Sequence, residues 1–136
     1  KAVAKLTYAY ANATVPKVTV MLDKAYGTAY TVMCSKAIGA DVVFAWPKSV
    51  IGTMDPEMAV KIMYEDEIAA AGDKLAYIND KKAEYTEALS GALSAARRGY
   101  VDDIIEPDAT RKRVIAALDM LFSKSEDRPF KKHGTI

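Results

Sequence analysis

Three short apolar runs, Val18-Thr19-Val20-Met21-Leu22, Asp41-Val42-Val43-Phe44-Ala45-Trp46 and Val101 to Ile105, recur along the chain with helical stretches between them. That alternation limits the fold more than any other feature of the sequence. Runs dense in β-branched and aromatic residues, bounded by breakers, read as short strands, the first two of them buried. Strands separated by helices form a largely parallel sheet with the helices packed outside it. Pro16, Pro47 and Pro107 punctuate the pattern, and Ser49-Val50-Ile51-Gly52 reads as a further strand. Helical spacing is expected over residues 2–13, over Thr28 to Ile38 with Gly39 as its cap, and over Ala109 to Ser123. Lys24-Ala25-Tyr26-Gly27 reads as a break before the second of these. Asp55-Pro56-Glu57 carries the marks of a helix start, with an N-cap acid, Pro in the first turn and a carboxylate near the positive dipole end, and that helix runs to about residue 64. Residues 65–98 are charged and Ala-rich, with a weak break at Gly72-Asp73, and are expected to form a helical arm or hairpin. The class is α/β; the pattern alone does not choose a fold within it.

A chain of 136 residues suits one domain. Nineteen Lys and Arg against eighteen Asp and Glu leave a formal charge of +1, without the basic face a nucleic-acid binder shows. Cys34 is the single cysteine, so no internal disulfide forms, and a reducing, cytoplasmic setting is expected. No run reaches the roughly 18–20 apolar residues of a membrane span. Lys1-Ala2-Val3-Ala4-Lys5 leads straight into a helical pattern without a signal peptide, and with no initiating Met the chain reads as a piece of a longer one.

Chemistry is best placed at the strand, Tyr26-Gly27-Thr28-Ala29, helix junction. The first amides of a helix lack intrahelical acceptors, and the helix dipole favours negative charge beyond them. Gly27 lets a ligand approach the backbone closely. The amides of Thr28 and Ala29 could then form half of an oxyanion hole. On local pattern alone, a plain tight turn into a packing helix remains open. From Gly27 to Ser35 there is no Asp, Glu, His, Lys or Arg. Any chemistry there must use backbone dipoles, which fits an enolate or a ureido oxyanion better than a nucleophile with its base. Cys34, with no His nearby, reads as a buried small residue. His133, the only histidine, lies in the basic tail of residues 125–136, and one His makes no zinc site, so no metal is expected. Tyr26, Tyr30 and Trp46 are candidates for a pocket lining, with core packing as the alternative. The acids of residues 65–87 alternate with lysines as on a solvated helix face.

Several segments carry a resemblance. Ala4-Lys5-Leu6-Thr7-Tyr8-Ala9-Tyr10-Ala11-Asn12-Ala13-Thr14-Val15-Pro16-Lys17, Lys24-Ala25-Tyr26-Gly27-Thr28-Ala29-Tyr30, Ser35-Lys36 into Gly39-Ala40-Asp41, Phe44-Ala45-Trp46-Pro47, Arg98-Gly99-Tyr100-Val101-Asp102-Asp103-Ile104-Ile105-Glu106-Pro107 and Arg128-Pro129-Phe130-Lys131-Lys132-His133-Gly134 follow one another in order and spacing over nearly the whole chain. They resemble the C-terminal region of the beta-type carboxyltransferase subunits of biotin-dependent acyl-CoA carboxylases, a group that includes propionyl-CoA carboxylase beta and the alpha subunits of methylmalonyl-CoA and glutaconyl-CoA decarboxylases.

The resemblance implies a crotonase-like fold, with residues 1–136 the later half of the second of two such domains. It implies transfer of carboxylate between carboxybiotin, carried on a partner protein, and an acyl-CoA, whose deprotonated α-carbon attacks the CO2 released. Tyr26, Gly27, Thr28 and Ala29 would hold the biotin, with the Thr28 and Ala29 amides steadying charge on its ureido oxygen. Thr31 would select the acyl group. Partners would be a biotin carboxyl carrier and a biotin carboxylase, or membrane decarboxylase subunits, around a homo-oligomer, a hexamer when full length. Three positions depart from the family pattern: Thr28 stands where a second Gly is usual, Thr31 where propionyl-CoA-selective members have Asp, and Asp55-Pro56-Glu57 where a Gly-containing turn follows the Met matching Met54. Other readings are a sodium-pumping decarboxylase component, an assembly module without activity of its own, and, ranked last for want of a carboxylate beside Gly27, a crotonase-type hydratase or isomerase.

Overall fold

The computed structural model describes residues 1–131 and Gly134. Helix α1 (Ala2–Asn12) leads through Pro16 into β1 (Val18–Met21). Strand β3 (Val42–Ala45) pairs in parallel with β1, Val18 opposite Val42 and Met21 opposite Ala45, and on its other edge with the two-residue β5 (Asp103–Ile104). The order β1-β3-β5 makes β3 the centre of a parallel sheet, as the alternating pattern requires. A second parallel pair joins β2 (Lys24–Tyr26) to β4 (Val50–Gly52).

Side chains alternate across a strand, and β3 uses both faces. Val43 and Ala45, both 0% exposed, join Met21, Cys34, Ile51 and Val101 in the larger core. Phe44 points the other way and packs with Ile105 and with Ala117 of α7 (Thr110–Met120). Trp46 belongs to that second cluster, and its indole Nε1 donates to Thr110 Oγ1 at 2.9 Å. Of the two readings of Trp46, pocket lining or core packing, the structure shows the packing role, with a polar partner for its N–H.

Helix α3 (Pro56–Met63) starts at Asp55, whose Oδ1 accepts from the Glu57 amide at 2.8 Å. Residues 65–98 form the expected hairpin: α4 (Glu65–Ala70), a break at Gly72, α5 (Lys74–Tyr85), a π-helical turn (Thr86–Ser90) and α6 (Ala92–Arg97). The arm does not stand free. Lys82 of α5 reaches Glu57 of α3 at 3.3 Å, and Gly91 bridges to Val50 of β4. On its outer side Glu65, Asp66 and Glu67 are exposed, as a solvated face should be.

Two expectations need correction. Lys24-Ala25-Tyr26 is a strand and not a break. The helix expected from Thr28 to Ile38 is only α2 (Gly27–Val32), followed by Cys34 at φ +60 and a 3-10 turn (Lys36–Ile38). Three of the six residues of α2, Thr28, Thr31 and Val32, are β-branched and propagate a helix weakly. Thr19 Oγ1 of β1 also donates to the Cys34 carbonyl at 2.8 Å, fixing the chain where the helix would have continued. Cys34 therefore lies just past the helix and is 4% exposed, a buried small side chain as expected. Gly39, at φ +104, closes the 3-10 turn. The tail through Lys131 forms no helix or strand; His133 lies outside the described residues.

Candidate functional site: two helix starts at the ends of a parallel strand pair

Strands β2 and β4 run side by side, with Tyr26 opposite Gly52. Each then feeds a helix. After Tyr26 the chain turns at Gly27, whose φ of +67 is the left-handed region that favours glycine, and enters α2. After Gly52 it passes Thr53 and Met54 to Asp55 and α3. Parallel pairing thus puts both helix starts at the same end of the pair.

Thr28 and Ala29 are exposed and lie in the first turn of α2, where no residue four back within the helix accepts their amides. No side chain caps this helix. Ala29 lines a cleft of about 420 Å³ together with Leu22, Tyr30 and Met33. Thr31 faces a different one, of about 200 Å³, bounded also by Ser35, Arg98 and Tyr100. Tyr30 forms a wall common to both. The structure therefore brings Ala29 and Tyr30 to one cleft and Thr31 to its neighbour, while Tyr26, Gly27 and Thr28 line neither. The Thr31 hydroxyl donates back to the Gly27 carbonyl at 3.4 Å, and Ser35 Oγ to the Thr31 carbonyl at 3.3 Å.

Sequence reasoning missed the role of Asp55 here. Its Oδ2 accepts from the Tyr26 hydroxyl at 2.7 Å, across 29 residues of chain. That hydrogen bond, then the Glu57 amide, holds the Asp55 carboxyl below its ordinary value, while the same bond, with burial second, pushes the Tyr26 phenol up. Tyr26 stays a donor and Asp55 an anion. Both Asp55 oxygens are engaged and its basicity is reduced, so it is a poor proton acceptor. Asp55 is thus committed to structure; Asp23 lines the same cleft as Ala29, and within the turn itself the backbone amides are the chemical resource. The helix-start signature at Asp55 was legible; its bond to Tyr26 required knowing that β2 exists.

Burial, then Tyr100, raises the Tyr30 phenol, and among the described residues its buried hydroxyl has no hydrogen-bond partner. The described residues hold no group of three or more His, Cys, Asp or Glu able to bind a metal ion. None of their helices is long and apolar enough to cross a membrane.

The parallel α/β unit is that of crotonase-like carboxyltransferases, and solved structures bear out this fold. Transcarboxylase 12S, a hexamer assembly with substrate binding to a multienzyme core, solved with methylmalonyl-coenzyme A and methylmalonic acid bound, superimposes with a TM-score of 0.90 at 47% identity, covering 98% of this chain and 26% of its own. The beta subunit of geranyl-CoA carboxylase from P. aeruginosa does so with a TM-score of 0.71 at 26% identity, over 98% of this chain and 26% of its own. Residues 1–136 match the carboxyl transferase domain family, and the chain belongs to it. It is 53% identical to the propionyl-CoA carboxylase carboxyltransferase subunit of Haloferax mediterranei and 51% identical to the methylmalonyl-CoA decarboxylase subunit alpha of Propionigenium modestum, each over 98% of this chain. It spans about a quarter of the length of these relatives, 26% in both cases.

Proposed function

We propose that this chain serves a biotin-dependent acyl-CoA carboxyltransferase, moving carboxylate between biotin and the α-carbon of an acyl-CoA, and supplies the biotin-facing part of the site. The observation that carries the reading is the Gly27 turn. It offers two exposed residues, Thr28 and Ala29, at a helix start beside a mostly apolar cleft, with no Asp, Glu, His, Lys or Arg from Gly27 through Ser35.

That donor set fits biotin. When bound and carboxylated, biotin supplies the carboxylate and leaves negative charge on its ureido oxygen. A ureido oxygen needs hydrogen-bond donors and neither a base nor a metal. The Thr28 and Ala29 amides donate toward such an oxygen, and losing one donor of this kind costs about 3–4 kcal/mol of barrier stabilisation. Leu22, Ala29, Tyr30 and Met33 give the cleft an apolar wall, so that a ligand seated there displaces water and strengthens those hydrogen bonds. Thr31, in the adjoining cleft, bears on acyl selection. The acyl-CoA and the rest of the site come from the remaining length of a subunit like the relatives', acting as a homo-oligomer with a biotin carboxyl carrier and a biotin carboxylase.

The test is carboxylate exchange by a subunit of the relatives' length bearing this chain, offered malonyl-CoA, methylmalonyl-CoA or glutaconyl-CoA with free biotin as acceptor. Biotin-dependent turnover of any one supports the reading. Ala29→Trp, which fills the cleft beside the amides, is expected to lower exchange about 100-fold or more; exchange surviving that change would remove the assignment of the site. Similarity to a decarboxylase alpha subunit favours a second reading, the same half-reaction run in reverse. Co-purification with a membrane decarboxylase subunit in place of a biotin carboxylase would decide for it.

A further inference from the structure

Tyr26 and Asp55 occupy equivalent places. Tyr26 is the N-cap residue of α2 and Asp55 the N-cap residue of α3, and one 2.7 Å hydrogen bond joins them. We infer that the Tyr26–Asp55 bond is a positioning device that fixes the turn carrying the Thr28 and Ala29 amides at the edge of the cleft that Ala29 lines. This deepens the proposed function and rests on it.

Beyond this bond, the turn from Tyr26 to Ala29 is held by bonds made within α2 and its C-cap, from Thr31 Oγ1 to the Gly27 carbonyl at 3.4 Å and from the Met33 amide to the Ala29 carbonyl at 3.1 Å. Gly27 is the residue with the widest backbone freedom, and a Cβ placed there would meet nothing closer than the Thr53 carbonyl at 3.8 Å. Helix α2 has no side-chain cap of its own. Among the described residues, Tyr26 is the only one of residues 24–29 whose side chain makes a hydrogen bond. The β2–β4 pairing holds the turn from the strand side but stops at Tyr26 opposite Gly52.

The far end of the bond is anchored. Asp55 is followed by the buried Pro56, whose ring fixes its own backbone angle. Asp55 Oδ1 is committed to the Glu57 amide, and Glu57 is gripped by Lys61 at 2.7 Å and by Lys82 of α5 at 3.3 Å. Helix α3 is thus linked to α5 by the Glu57–Lys82 pair, and the Tyr26 hydroxyl bonds to its N-cap.

The experiment compares Tyr26→Phe, Asp55→Ser, Asp55→Asn and the double variant Tyr26→Phe/Asp55→Ser in a subunit of the relatives' length, by carboxylate exchange with free biotin. Asp55→Ser keeps an α3 cap but is too short to reach Tyr26; Asp55→Asn keeps both cap and acceptor. A small misplacement of a positioning group costs up to about 100-fold, so we expect kcat/KM for biotin to fall roughly tenfold in Tyr26→Phe and in Asp55→Ser. KM for the acyl-CoA stays unchanged, Asp55→Asn recovers most of the loss, and the double variant is no worse than either single one. Wild-type biotin kcat/KM in Tyr26→Phe, with exchange intact in the parent, overturns the device alone. Parallel losses in biotin kcat/KM, acyl-CoA KM and thermal stability also overturn it, marking the bond as general scaffolding. No exchange by the folded parent overturns the device together with the proposed function.

Discussion

Gly27 and Asp55 show how much one residue can decide at a strand end. Gly27 takes φ +67, which costs a residue with a Cβ roughly 1–2 kcal/mol. The space around it is ordinary, since the nearest atom to an added Cβ is 3.8 Å away. Gly27→Ala is therefore expected to lower stability by about 1–2 kcal/mol through conformation alone, without a packing clash. Urea unfolding of the two proteins checks this. A loss well beyond that range would mean that the turn is crowded, and no loss would mean that it can leave the left-handed region freely.

At the scale of elements, what was legible followed from local chemistry. Pro16 and Pro47 bounded the strands, Asp55-Pro56 announced α3, and Gly72-Asp73 marked the break in the hairpin. Asp73 accepts from the amides of Leu75 at 3.1 Å and Ala76 at 3.0 Å, capping α5. Asp73→Ala is expected to cost about 1 kcal/mol, read as a lower unfolding midpoint, and Asp73→Asn is expected to restore it. What was illegible depended on distant partners. Three residues, Lys24-Ala25-Tyr26, are too few to show a period, and they become a strand because β4 lies alongside. The end of α2 at Val32 is set by a bond from Thr19 to the Cys34 carbonyl, across 15 residues of chain. The Tyr26–Asp55 contact joins two local signals that each had a sufficient explanation without the other. The amide donors at Thr28 and Ala29 were legible for the opposite reason, since a glycine between a strand and a helix determines its own geometry.

The molecule as a whole is fastened on one side by charge. Asp41, at the entry to β3, accepts from the Lys17 amide at 2.7 Å and from Lys124, beyond α7, at 2.8 and 2.9 Å; Lys124 also donates to the Val15 carbonyl at 3.3 Å. Burial pushes the Asp41 carboxyl up, but the bonds and charges of Lys124 and Lys17 together bring it below its ordinary value. The bond to Asp41 raises the Lys124 ammonium. A lowered carboxylate contributes stability above its unfolded value and loses it as pH falls through the folded one. A raised ammonium contributes below its unfolded value and loses it as pH rises through the folded one. The link is thus strongest between the two, and Lys124→Ala is expected to lower the thermal midpoint most near neutral pH and least at the acid and alkaline ends. An equal loss at every pH would show that Lys124 acts by packing alone.

The central place of β3 has a consequence for how the chain is made. Its second edge is closed by the segment around Asp102 and Asp103, which lies far along the chain: Val43 and Asp102, bonded in the finished sheet, are 59 residues apart. At about 5–20 residues per second on the ribosome, that edge waits roughly 3–12 s for its neighbour. During the interval Val42-Val43-Phe44-Ala45, an apolar β-forming run, presents bare carbonyls to any other nascent strand. For this chain, synthesis therefore includes an interval of seconds, before residue 102 emerges, in which its central strand has one edge open to aggregation.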